Sequence, residues 1–179
     1  MKNLIKPVVG KYLGTVKRGA YKAAQDLLQD LKSNGVKIGR GAYHALSNVS
    51  LSQTEEEVDL WEVTPADLGI IRDYSLIYAC AKAFKLGFDE CLPEDGAMLQ
   101  LICKDNTDYC IAALDLLEDY EGWYGVLHIS SDKNDRNLSM RFSASNGKWR
   151  YICIPWVFVW PRREYTENIK GEKIEIQEG

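Results

Sequence analysis

The 179 residues carry a net charge of −4 and are 46% hydrophobic, enough apolar material for one packed domain, or one domain with a small appendage. No run approaches the roughly 20 apolar residues of a membrane-spanning helix, and the N-terminus lacks the apolar block and small-residue cleavage site of a secretory signal, so the expected compartment is the cytoplasm. Cys80, Cys91, Cys103, Cys110 and Cys153 are odd in number, form no CxxC pair and sit mostly in apolar patterns, which points to reduced, buried thiols, and neither a metal nor a cofactor is expected.

Charge is segregated along the chain. Residues 1–45 hold nine Lys or Arg against Asp26 and Asp30, whereas the remainder holds 13 basic against 24 acidic residues. Such asymmetry marks an interaction surface at one end, or docking of one part on the other. It divides the chain into a basic amphipathic helical segment, 1–45, and an acidic α+β domain, 46–179.

From Leu4 onward Ile5, Val8, Val9, Tyr12, Leu13, Val16, Ala20, Ala23, Ala24, Leu27, Leu28 and Leu31 follow helical spacing, which predicts one amphipathic helix or two joined ones, ended by Gly35. Gly10, Gly14 and Gly19 lie inside that pattern at about 1 kcal/mol each relative to Ala, so the first half needs packing to hold. The sequence RGAYKA at Arg18 returns as RGAYHA at Arg40. Lys17, Arg18, Tyr21, Lys22, Arg40 and Tyr43 are therefore candidates for contact with nucleic acid, cations neutralising phosphates and tyrosines stacking on bases. The plainer alternative sets both tyrosines at the rim of the core with the arginines in solvent, and no recognised nucleic-acid motif encloses either copy. A membrane-surface helix or a targeting presequence would share this basic, apolar composition, but the segment is poor in Arg and Phe and runs into an acidic-faced helix at 25–30.

Thr54 and Glu57 stand in capping-box spacing, predicting a short helix or turn over 52–63. The most apolar stretch follows. Thr64 as N-cap, Pro65 at the first helical position, Asp67 in the first turn and Gly87 as terminator frame Leu68, Ile70, Ile71, Leu76, Ile77, Ala79, Cys80, Ala81 and Phe84, which predicts a central buried helix over about 65–86.

Beyond it strands are expected. Residues 93–96 are expected as a turn, 97–103 as a strand, 105–108 as a second turn, and 109–117 as a strand in a hairpin with 97–103, although the paired alanines suit a helix too. Strands are expected at 123–129 and 138–144 around a polar loop, then Asn146-Gly147 as a hairpin turn before a strand over 148–160. Pro155 puts 154–156 at an edge or bulge; after it, Trp156, Phe158 and Trp160 share one face with Val157 and Val159 on the other, and a tryptophan near 160–163 is expected to stay accessible. A short strand over 173–177 ends the chain. The expected fold is α+β, N-terminal helices including the buried central one packed on a C-terminal antiparallel sheet.

Catalytic signals are sparse. His128 with Asp119 or Glu121 is a candidate general base, yet no nucleophile turn, phosphate-binding glycine loop or metal signature accompanies it, and the Asn/Asp clusters at 105–108 and 132–137 lack the Gly and Glu of a calcium loop. Between residues 86 and 132, by contrast, eleven carboxylates meet one base, Lys104. Asp115, Glu118, Asp119 and Glu121 there accompany Tyr120, Trp123 and Tyr124, and rings rimmed by acids suit a basic partner, the rings supplying affinity and the charge steering encounter. The leading expectation is a non-enzymatic protein-binding protein of inhibitor, immunity or adaptor type, whose acidic, aromatic face occupies a basic site on a protein partner, including one that would otherwise bind nucleic acid. The runner-up is a nucleic-acid-binding module using residues 1–45, and third comes a small enzyme using His128.

Overall fold

The segment WVFVW, Trp156–Trp160, has no polar side chain on either face and therefore belongs inside a sheet covered on both sides. In the computed structural model, which describes residues 7, 9–103, 107–132, 135–142, 154–161, 165–167 and 173–175, it does. In chain order the elements are β1 (Lys11–Arg18), α1 (Ala24–Ser33), β2 (Val36–Ile38), α2 (Arg40–Asn48), β3 (Glu56–Val63), α3 (Leu76–Lys85), α4 (Pro93–Ile102), β4 (Thr107–Ile111), β5 (Leu117–Glu118), β6 (Tyr124–Ser131), β7 (Arg136–Phe142), β8 (Trp156–Trp160), β9 (Tyr165–Glu167) and β10 (Lys173–Glu175). Eight strands form one sheet in the order β1-β3-β8-β4-β6-β7-β2, with β5 also paired to β6, while β9 and β10 form a separate antiparallel pair.

The class is mixed α and β, but the sheet is not purely antiparallel: β2 runs parallel to β7, and β4 parallel to β8. Alternation on β8 separates two cores. Val157 and Val159 join Val58, Leu60, Ile111, Leu127 and Ile129 beneath α1, α2 and α4, which contribute Leu27, Leu28, Leu31, Leu46, Ala97 and Leu99. Trp156, Phe158 and Trp160 face the other way, against Leu68, Ile70 and Tyr74 and against Leu76, Ala79, Cys80 and Ala83 of α3. Pro155 stands just ahead of this central strand, where a missing N–H costs the ladder nothing, and its carbonyl accepts from Cys110 N at 3.1 Å; residues 154–156 are thus not at an edge. Trp160 is buried against Phe88 rather than accessible.

Within the basic segment, Lys11–Arg18 is a strand and not a helix. β1 lies antiparallel to β3 with Lys11 opposite Glu62, Lys17 opposite Glu57 and Arg18 opposite Glu56. Opposite charges facing across a strand pair stabilise it, and the three glycines that burden a helix are accommodated at the strand's ends and at a bulge. At that bulge Gly14 has Ile102 so close that a Cβ would lie 2.6 Å from Ile102 Cδ1. The charge segregation is therefore absorbed in part by docking inside the chain: Lys17 pairs with Glu55 at 2.5 Å, and Thr15 donates to Asp59 at 2.5 Å. The helical reading holds for α1, with Leu27, Leu28 and Leu31 on its buried stripe and Gly35 following at φ +77°. Of the 52–63 stretch, read as a helix or turn, Glu56–Val63 is instead β3, its alternation of Val58 and Leu60 with Glu57 and Asp59 prevailing over the capping-box spacing.

The expected central helix is short. Thr64 and Asp67 do cap each other, Asp67 N donating to Thr64 Oγ1 at 3.1 Å and Thr64 N to Asp67 Oδ2 at 2.8 Å, but they launch one turn that stops at Gly69, φ +65°. The α-helix begins only after Ser75, whose Oγ accepts from Tyr78 N at 3.2 Å. Its outer face is open: Ile77, Tyr78 and Phe84 are exposed, as is Ile71 in the preceding loop, at 87%. The buried helix is α4, expected as a turn and strand. Pro93 starts it, Asp95 Oδ2 accepts from Leu92 N at 2.7 Å, and every residue from Glu94 to Gln100 is buried. A helix enclosed on all sides has no amphipathic period for the sequence to display, so the expected 97–103 strand and its hairpin do not exist; β4 pairs with β6 and β8 instead.

Residues 109–117 are strand only to Ile111 and again at Leu117. The strands at β6 and β7 match expectation as far as Phe142, while residues 143–144, the hairpin turn at 146–147, the strand over 148–153 and residues 176–177 lie outside the described residues. The four described cysteines are buried, and none is in a disulfide with another described residue. Among the described residues no helix is long and apolar enough to cross a membrane.

Candidate functional site

The β5–β6 hairpin pairs Glu118 with Tyr124 and Leu117 with Gly125, and Asp119 fixes the turn between them. Its Oδ1 accepts from Glu121 N and Trp123 N, each at 2.9 Å, and its own N–H donates to Trp123 O at 2.9 Å. Gly122 completes the reversal at φ +82°. This is the work of an aspartate that bonds its own backbone, and it leaves Asp119 buried.

The same geometry turns three rings outward. Tyr120, Trp123 and Tyr124 are 44%, 63% and 57% exposed, with Leu114, Leu116 and Phe142 also exposed nearby. Tyr124 OH donates to Glu118 Oε2 at 3.1 Å, and Glu118 and Glu121 raise the pKa values of Tyr124 and Tyr120 by accepting their protons in hydrogen bonds. Asp115, Glu118 and Glu121 face solvent. Elsewhere the acidic run is spent internally: Asp95 on Arg18, Glu94 on Ser52 N, Asp108 on His128 and Glu90 on Leu114 N.

The six residues singled out for nucleic acid part company. Arg18, 14% exposed, clasps Asp95 through Nε at 2.9 Å and Nη2 at 2.6 Å. Tyr21 OH donates to Asp30, Lys22 Nζ to Gly19 O at 3.1 Å, and Lys17 pairs with Glu55. Arg40 and Tyr43 lie instead on α2, where they line an open groove of about 510 Å³ with Lys32, Ile38, His44, Ser47 and Tyr120. The two RGAY copies thus end in different structures, one at a strand's end and one opening a helix.

His128 sits on β6 between β4 and β7. Its Nε2 is 2.5 Å from Asp108 Oδ1 and its Nδ1 3.1 Å from Ser139 Oγ, so a carboxylate, an imidazole and a hydroxyl form one hydrogen-bonded chain across three strands. Neither Asp119 nor Glu121 takes part; the partners come from strands whose register the linear sequence does not display. Cys110, directly opposite His128, is buried, and that burial pushes its thiol up to about 12, with Arg141 opposing. Among the described residues no three His, Cys, Asp or Glu side chains converge as metal ligands would. Set beside protein-family models, curated proteins and solved structures, this chain matches none.

Proposed function

We propose that this chain is a protein-binding protein of inhibitor, immunity or adaptor type, and that the β5–β6 turn, Asp115 to Tyr124, docks on a basic site of its partner, including one the partner uses for nucleic acid. The observation that carries this reading is the outward placement of Tyr120, Trp123 and Tyr124 on a turn held by Asp119. Large rings on an ordered turn supply contact area at little conformational cost, and tryptophan and tyrosine dominate interface energetics. Glu118, Glu121 and Asp115 around them supply the charge that steers a basic partner into register. Affinity capture from the native host, run in parallel with the parent and a folded Trp123→Ala variant, tests it. A basic protein retained by the parent, released by salt and absent from the variant supports the proposal; identical recovery on both sinks it.

A second reading rests on the chain Asp108–His128–Ser139. An imidazole oriented by a carboxylate and in contact with a hydroxyl is arranged to accept that hydroxyl's proton, which makes Ser139 a nucleophile for an activated ester. Ester turnover lost in a folded His128→Ala variant favours this reading, and no turnover in the parent ends it.

A further inference from the structure

The groove on α2 is chemically unlike the acidic turn beside it. Arg40, Tyr43, His44 and Ser47 fall at i, i+3, i+4 and i+7, one stripe of the helix, while Ala42, Ala45 and Leu46 are buried on the other. Lys32 reaches over from α1, and Tyr120 closes the far wall. The lining holds two fixed positive charges and a histidine, and no carboxylate. In a chain with an excess of acids, that exclusion is informative.

Both cations are held by rings. Arg40 Cζ lies 4.3 Å from the centre of the Tyr120 ring, and Lys32 Nζ 4.5 Å from that of Tyr43. Cation–π contact fixes two long side chains while leaving their N–H groups to face the groove, and neither forms an ion pair with a carboxylate among the described residues. Arg40 also opens α2, whose first turn contains no acid and whose N-cap, Gly39, gives no side-chain hydrogen bond. A cation at the positive end of a helix is electrostatically unfavourable, a cost that a bound anion reverses.

From these features we infer that the groove binds a phosphomonoester carried on a planar ring, a nucleoside monophosphate in chemical class. Arg40 and Lys32 hold the phosphate, and Tyr43, Tyr120 and Ile38 flank the ring. The groove's volume suits a small ligand. The inference stands apart from the docking proposal, with Tyr120 the one residue they share.

Isothermal titration of the full chain with adenosine monophosphate, adenosine and inorganic phosphate tests it, with a short single-stranded RNA as a fourth probe. The monophosphate should bind more tightly than either fragment. Arg40→Ala and Lys32→Ala should each weaken it by about tenfold or more, as loss of a charge-assisted hydrogen bond does, and Arg40→Lys, which lacks the paired planar N–H donors of a guanidinium, should bind more weakly than the parent. Both side chains are exposed, so the variants should melt with the parent; were one to lose stability, the other reads the same effect. Trp123→Ala should leave this affinity unchanged. No saturable binding of the monophosphate, binding by Arg40→Ala and Lys32→Ala as tight as by the parent, or RNA binding far more tightly than the monophosphate each overturns the inference.

Discussion

Replacing Arg18 by Met tests the internal docking of the basic segment on the acidic one. Arg18 gives Asp95 two charge-assisted hydrogen bonds, and Asp95 is 0% exposed. Removing the guanidinium strands a buried carboxylate, a change that costs about 3 to 5 kcal/mol. Glu56 adds little, being 3.5 Å from Arg18 and mostly in water. For a chain of this size, the loss lowers the melting temperature by about 6 to 20 °C, at roughly 2 to 4 °C per kcal/mol.

The pH dependence sharpens the test. Burial raises the Asp95 pKa even against the pull of Arg18, and burial raises Glu94 too. A carboxyl whose folded pKa is raised holds its proton more tightly in the native state, so its contribution is greatest below the unfolded pKa and is lost as pH rises through the folded one. Without Arg18 the Asp95 shift grows. The gap between parent and variant should therefore be widest near neutral pH and narrow as acid protonates Asp95. Urea unfolding of both proteins across that range measures it; a variant as stable as the parent at neutral pH, or a gap that widens in acid, would show that Arg18 does not hold an ionised Asp95 in the core.

The remaining expectations concern the core and the turn. Ile71→Ala should change stability by no more than about 0.5 kcal/mol, since the side chain is in solvent, whereas Trp156→Ala should cost about 3 to 5 kcal/mol and leave Tyr74 OH without its 2.7 Å donor; thermal melts of the pair compare them directly. Gly96→Ala would place a Cβ 2.5 Å from Ile111 Cγ1, so a loss of about 1 to 3 kcal/mol is expected from overpacking, and urea unfolding checks it. Asp119→Ala orphans two backbone donors of the turn and should cost about 1 to 3 kcal/mol, with a change in Trp123 fluorescence reporting the altered turn.

What the sequence disclosed follows from how far each signal reaches. The alternation on β8 is local, and it correctly separates Trp156, Phe158 and Trp160 from Val157 and Val159. For β1, Leu13 and Val16 meet the same core three residues apart because of the bulge between Tyr12 and Gly14, a spacing that imitates a helix, and the facing charges on β3 decide. The three glycines already argued against a helix there. Thr64 and Asp67 formed their cap, but Gly69 was near enough to end the turn, and Ser75 then began α3 in the middle of the expected helix. In α4 burial on every side erased the period that distinguishes helix from strand.

The candidate site divides in the same way. Clustering of Tyr120, Trp123 and Tyr124 among acids is visible in linear order, whereas the inward role of Asp119 depends on the turn it makes with Gly122. Asp108 and Ser139 meet His128 only through strand pairing. Lys32 and Tyr120 likewise reach Arg40 and Tyr43 from distant positions, so no spacing rule joins them.

Docking through the β5–β6 turn is measured by binding kinetics with the captured partner, using Glu118→Lys/Glu121→Lys and Trp123→Ala alongside melting curves. Asp119 is left intact because it holds the turn. The charge reversals should slow association and reduce its salt dependence, and Trp123→Ala should speed dissociation while the protein melts near the parent's temperature, the ring being 63% exposed. Association unchanged by the two lysines, together with unaltered dissociation of the Trp123→Ala variant, would contradict docking through this turn.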